Sequence, residues 1–132
     1  MNNLQTWTSL IGRIFLSAIF IKSGIGKIFG GSATQQYMES AGVPGWLLIP
    51  TILVLLIGGI SVLVGYKANY GALLLIGFLI PTTLIFHNVF TDPSQEIAFM
   101  KNLALIGGLL MVTAFGAGPM SVDRRTISSF SD

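Results

Sequence analysis

Apolar residues gather into four long runs, residues 7–29, 46–66, 70–90 and 97–116, each close to the ~20 residues a helix needs to cross a bilayer. Between them lie a polar segment with Gly and Pro at 30–45, a very short turn at 67–69 and an acidic turn at 91–96. The pattern predicts an all-α membrane protein: four transmembrane helices in an antiparallel bundle, one domain over residues 1–132. The first run reads as a span and not as a cleaved leader, because it is too long and its lysines follow the apolar core. Pro81, within the third run, cannot donate to the Gly77 carbonyl and predicts a kink there, with Thr82 and Thr83 at hand for freed backbone groups.

Composition agrees with lipid as the solvent. The 132 residues are 52% hydrophobic and 9% charged, with a mean hydropathy of +0.79, so they lack the polar surface that a soluble domain shows to water. The net charge of +2 comes from basic residues scattered between apolar runs, which form no stripe for nucleic acid. Its distribution bears on topology instead. Lys67, Arg124 and Arg125 fall on the side shared by both termini, whereas segments 30–45 and 91–96 carry Glu39, Asp92 and Glu96 and no Lys or Arg. Because cytoplasmic loops hold the positive excess, both termini are expected inside. Trp7, Tyr66 and Tyr70 at the inner interface, with Tyr37 and Trp46 at the outer one, fit the same orientation.

The chain has no cysteine, which removes disulfides, thiolate chemistry, covalent haem attachment and iron–sulfur ligation. Its single histidine cannot supply a bis-histidine haem, and no ligands cluster as a metal site requires. No intrinsic cofactor is therefore expected, and any redox role must use borrowed groups.

Charged residues inside a span are costly, so each calls for an explanation. Arg13, Ser17, Phe20, Gly24 and Lys27 follow steps of four and three residues and share one helix face, which should look into the bundle. Lys22 lies on another face, where it can snorkel. Arg13 is expected to anchor the inner end, paired with Asp123 beside Arg124 and Arg125. Lys27, His87, Lys101 and Asn102 fall at similar height near the outer leaflet, with Glu96 close by, and would line a shallow polar pocket over an apolar interior. Ammonium and amide groups there would donate to an anionic or carbonyl-bearing amphiphile, such as a quinone headgroup or a lipid, and an imidazole can exchange a proton near neutral pH. The plainer reading makes both lysines interfacial anchors and His87 a hydrogen-bonded interface residue. Small residues at Gly26-xxx-Gly30, Ser61-xxx-Gly65 and Ala104-xxx-Gly108, with Gly58-Gly59 and Gly107-Gly108, mark close helix approaches within the bundle or, alternatively, a dimer contact.

The face carrying Arg13, Phe20, Gly24 and Lys27, the Gly58-Gly59 pair followed by Gly65, and the run Phe99-Met100-Lys101-Asn102-Leu103-Ala104 resemble the DoxX family of small membrane proteins. The ending Gly116-Ala117-Gly118-Pro119-Met120-Ser121-Val122-Asp123 is similar to the family's turn into an Asp-containing tail. The resemblance spans nearly the whole chain. It implies a multi-pass inner-membrane protein, with some relatives associated with membrane oxidoreductases, including thiosulfate:quinone oxidoreductase subunits. It points to Arg13, Gly24, Lys27, Lys101 and Asn102. Where many relatives carry a glutamate before the Gly-Gly pair this chain has Leu55, which weakens any proton relay. The leading expectation is thus an accessory subunit of a membrane oxidoreductase system, in contact with membrane lipids and a partner subunit and binding quinone or lipid. A structural or assembly partner, which would include a homo-oligomer, is the alternative, and a small transporter ranks third because four narrow helices barely provide a path.

Overall fold

A computed structural model describes residues 3–88 and 90–123 of the chain. Five α-helices form: α1 (Asn3–Phe29), α2 (Gly31–Ser40), α3 (Leu48–Val64), α4 (Ala68–Phe86) and α5 (Glu96–Phe115), with short 3-10 turns leading into α3 and α5. Segments Asn3–Phe29, Gly45–Val64, Ala68–Phe86 and Pro93–Phe115 are long and apolar enough to cross a membrane. Their outward faces carry Phe15, Ile49, Leu53, Ile57, Leu73, Leu84, Leu103 and Leu110, all exposed, as lipid-facing side chains must be. The helix boundaries differ from the hydropathy runs. α1 starts at Asn3, so at 1.5 Å per residue it is about 40 Å long and outreaches a ~30 Å hydrocarbon layer. α4 ends at Phe86, where His87 leaves helical geometry at φ −128. It runs on through Pro81, which faces outward.

The spans pack in the order α1, α3, α4, α5, each against the next, while α1 and α5 barely touch. Close approaches fix the antiparallel register. Gly24 lies against Leu55 and Leu56, Gly59 against Ile21, Gly58 against Leu75, and Gly71 against Ser61. Small residues thus let backbones approach where lipid supplies no hydrophobic drive. A Cβ at Gly58 would sit 2.7 Å from Leu75 Cγ. The core these contacts surround is Phe20, Leu55, Val62, Ala72, Leu75, Leu79, Leu109 and Val112. Leu55 is wholly buried in it. Gly26, Gly77 and Gly107, by contrast, face outward with nothing close to them.

The α3–α4 turn is the most heavily tied point. The last carbonyls of a helix and the first amides of the next have no partner of their own, and hydrocarbon offers none. Arg13, only 3% exposed, reaches across from α1 and donates from Nη1 to the Leu63 carbonyl at 2.9 Å and the Val62 carbonyl at 3.2 Å, and from Nη2 to the Met120 carbonyl. From the other side Asp123 accepts the Lys67 amide at 2.6 Å and the Ala68 amide at 3.1 Å, and its own N–H donates to the Gly65 carbonyl at 2.8 Å. The expected pairing of Arg13 with Asp123 takes the form of an electrostatic attraction across the turn, while the hydrogen bonds of both go to backbone groups. The two charges hold opposite sides of one turn, each meeting the helix end whose dipole it complements. Arg124 and Arg125, expected beside them, lie outside the described residues. Gly65 turns the chain at φ 77, and Ser121, Ala117 and Arg13 leave no room for a side chain there. Ser9 beside Gly118 brings the start of α1 to the same end.

A Gly58→Leu substitution is expected to lower the unfolding free energy in mild detergent by about 1–3 kcal/mol through overpacking against Leu75. Gly107→Leu, on the open face of α5, should stay within about 0.5 kcal/mol of the parent. Equal losses in denaturant titrations of the two variants would contradict the assigned packing.

Candidate functional site at the α2 end

The opposite end of the bundle is built differently. Segment 30–45, expected as an irregular connection, contains the ten-residue helix α2, which covers this end. Its Tyr37 ring stacks on Phe86 at the end of α4, with centroids 5.2 Å apart and planes at 28°. Met38 is buried beneath it, and Gln35 Nε2 donates to the Gly45 carbonyl at 3.3 Å. A largely polar helix of ten residues is marginal alone, so these contacts are what hold α2 in place.

At this end of the bundle lie the polar side chains singled out from the sequence. Asn102 is buried between α4 and α5, its Nδ2 donating to Thr83 Oγ1 at 3.0 Å. Lys27 is half-buried and donates to Ser23 Oγ, one turn back on α1, at 2.9 Å. His87 closes α4 and its Nδ1 meets Gln95 Oε1 at 2.9 Å. Lys101 and Glu96 are exposed, with Glu96 in the first turn of α5, where the helix dipole favours a carboxylate. In the turn before it, the Ser94 hydroxyl and amide hold the Asp92 carboxyl below its ordinary range.

These five residues therefore sit at one end of the bundle, and three of them have separate partners: Ser23 for Lys27, Gln95 for His87 and Thr83 for Asn102. No hydrogen bond joins any two of the five among the described residues. Five of the family-pattern residues, Arg13, Phe20, Gly24, Gly58 and Gly59, are all buried. Gly107 faces out and Gly108 faces α1 at Leu16. Among the described residues no three His, Asp or Glu side chains cluster as metal ligands. The chemistry available at this end is hydrogen-bond donation from ammonium, amide and imidazole groups beside apolar helix faces. Sequence reasoning missed Thr83 and Gln95 as partners; a threonine and a glutamine close to the ends of neighbouring spans were the available signal.

Four membrane-crossing helices, a turn pinned by Arg13 and Asp123, and a polar end covered by a short helix define a small polytopic membrane protein. The chain belongs to the DoxX family, whose model matches residues 8–88. It is 40% identical over 124 residues to the inner membrane protein YqjF of Escherichia coli, covering 94% of this chain and 95% of that protein. It is 32% identical over 123 residues to the inner membrane protein YphA of the same organism, covering 88% of each. A Surfeit locus protein 4 homolog of Drosophila melanogaster is 29% identical over 131 residues, 94% of this chain and 43% of that protein. No solved structure matches the chain. The four spans together with these relatives make it a multi-pass inner membrane protein.

Replacing Asn102 with Leu removes the hydrogen bond that ties α4 to α5, and the expected loss is about 0.6 kcal/mol, the average for polar contacts between membrane helices. Unfolding of Asn102→Leu, Thr83→Val and the double variant measures it; additive losses would show that the contact contributes nothing.

Proposed function

We propose that the protein is an accessory subunit of a membrane oxidoreductase system, holding the headgroup of a quinone or lipid at the α2 end without carrying out the redox step itself. The observation that carries this reading is the gathering of Lys27, His87, Lys101 and Asn102 at one end of an otherwise apolar bundle. Donors of this kind fit a carbonyl or anionic headgroup, and the apolar helix faces below them fit its tail. With no cysteine in the chain, electrons must be carried by a partner or by the ligand. Both termini then lie in the cytoplasm, as the distribution of Lys and Arg favours, and the α2 end faces the outer leaflet.

A second reading, an assembly partner or homo-oligomer, draws on Gly26 and Gly107, small residues on exposed faces that meet nothing within the chain. Leucine at either position should then abolish co-purification of the partner while leaving the bundle folded.

Extraction of the gently purified protein tests the leading reading. Wild type is expected to retain quinone or lipid close to one per chain, and His87→Ala/Asn102→Ala about tenfold less, equivalent to ~1.4 kcal/mol of binding. Wild type without either molecule, together with unchanged respiration in a deletion strain, would overturn the reading.

A further inference from the structure

The four helices do not close evenly, and the loose seam between α1 and α5 has a defined register. Two proximities set its register: Ser9 lies beside Gly118 at the terminal end, and Leu16 packs on Gly108 near the middle. Each step up α1 is matched by a step back along α5, which brings Ser23 level with Lys101. On α1, Leu16, Phe20, Ser23 and Lys27 succeed one another by four, three and four residues, so Ser23 and Lys27 continue the face that meets α5. On α5, Lys101 lies seven residues from Gly108 and continues the face that meets α1. Were the seam closed at this level, Lys101 would be covered by α1. It is exposed instead, as is Ile97 one turn further out. Lys27 meanwhile leans back toward the same level to donate to Ser23.

At the α2 end the seam thus stands open with a lysine on each lip, and no carboxylate among the described residues forms an ion pair with either. Two like charges flanking an apolar cleft in a bilayer repel each other until an anion lies between them. Glu96 begins α5 on a different face, so it does not supply that anion. We infer that the α1–α5 seam is a binding site for an anionic phospholipid, whose phosphate lies between Lys27 and Lys101 and whose acyl chain runs down the seam toward Leu16 and Gly108. This deepens the reading above by naming the ligand class, and it rests on that reading's placement of an amphiphile at the α2 end. A phosphate satisfies both ammonium groups at once, whereas a neutral quinone carbonyl accepts from one and leaves the repulsion in place.

Native mass spectrometry of the full chain, released from nanodiscs of equal parts phosphatidylglycerol and phosphatidylcholine, tests the inference. Bound ubiquinone is quantified in the same samples. Wild type should retain phosphatidylglycerol about tenfold over phosphatidylcholine, and Lys27→Gln/Lys101→Gln should lose that preference, while Lys22→Gln, on another face of α1, keeps it. Equal retention of the two lipids by wild type would overturn the inference. So would a preference that survives in the double variant. Loss of folding is monitored by the unfolding transition, and single Lys→Gln variants with a partial loss of preference carry the test if the double variant is unstable. Bound ubiquinone without lipid preference would sink the inference alone; lipid preference without any ubiquinone would uphold it and remove the quinone half of the functional reading.

Discussion

Unpaired backbone groups are what hydrocarbon tolerates least, and a turn between two membrane helices places several of them side by side. In this chain the α3–α4 turn meets that constraint with side chains brought from far away in sequence. Arg13 comes from the first helix and Asp123 from beyond the last, and between them they bind the end of α3 and the beginning of α4. Lys67, held in the left-handed region at φ 48, starts α4 without a cap of its own, so the Asp123 carboxylate is the cap. The arginine is tolerated in this place because Nη1 and Nη2 meet carbonyls, which leaves only its buried Nε without a partner among the described residues. Four segments of the chain converge there, and the rest of the bundle hangs from that point.

Away from the turn, packing relaxes. Glycines bring α1, α3 and α4 within backbone reach of one another, Asn102 and Thr83 link α4 to α5, and α1 and α5 barely touch. The two ends also differ in their polar groups: at the pinned end Arg13 and Asp123 are engaged in holding backbone, while at the α2 end Lys101 remains exposed.

The four spans were legible because apolar runs of bilayer length leave few alternatives, and the inward face of α1 was legible because Arg13, Ser17, Phe20 and Gly24 repeat at helical spacing and are indeed buried. Helix α2 was not, since a polar ten-residue segment owes its helicity to Tyr37 on Phe86 and to buried Met38, contacts that no local pattern announces. Gly26 looked like a packing residue and Gly24 does the packing; a shift of two positions turns a residue to the other side of a helix, and spacing alone does not say which side is covered. Asp123 was placed at the correct end, yet its partners are backbone amides 55 and 56 residues away, which only the folded tail brings within reach. At the α2 end, the residues at which the sequence pointed share one end of the bundle, but it could not supply Ser23, Gln95 and Thr83 as the partners that separate them.

The most direct measurement of the turn's role is a double-mutant cycle on Arg13→Met and Asp123→Ala, followed by equilibrium unfolding in mild detergent. Because both side chains restrain one turn, the account predicts a coupling free energy of about 0.5–3 kcal/mol. Losses that add to within about 0.3 kcal/mol would mean that the two residues act independently and would contradict it.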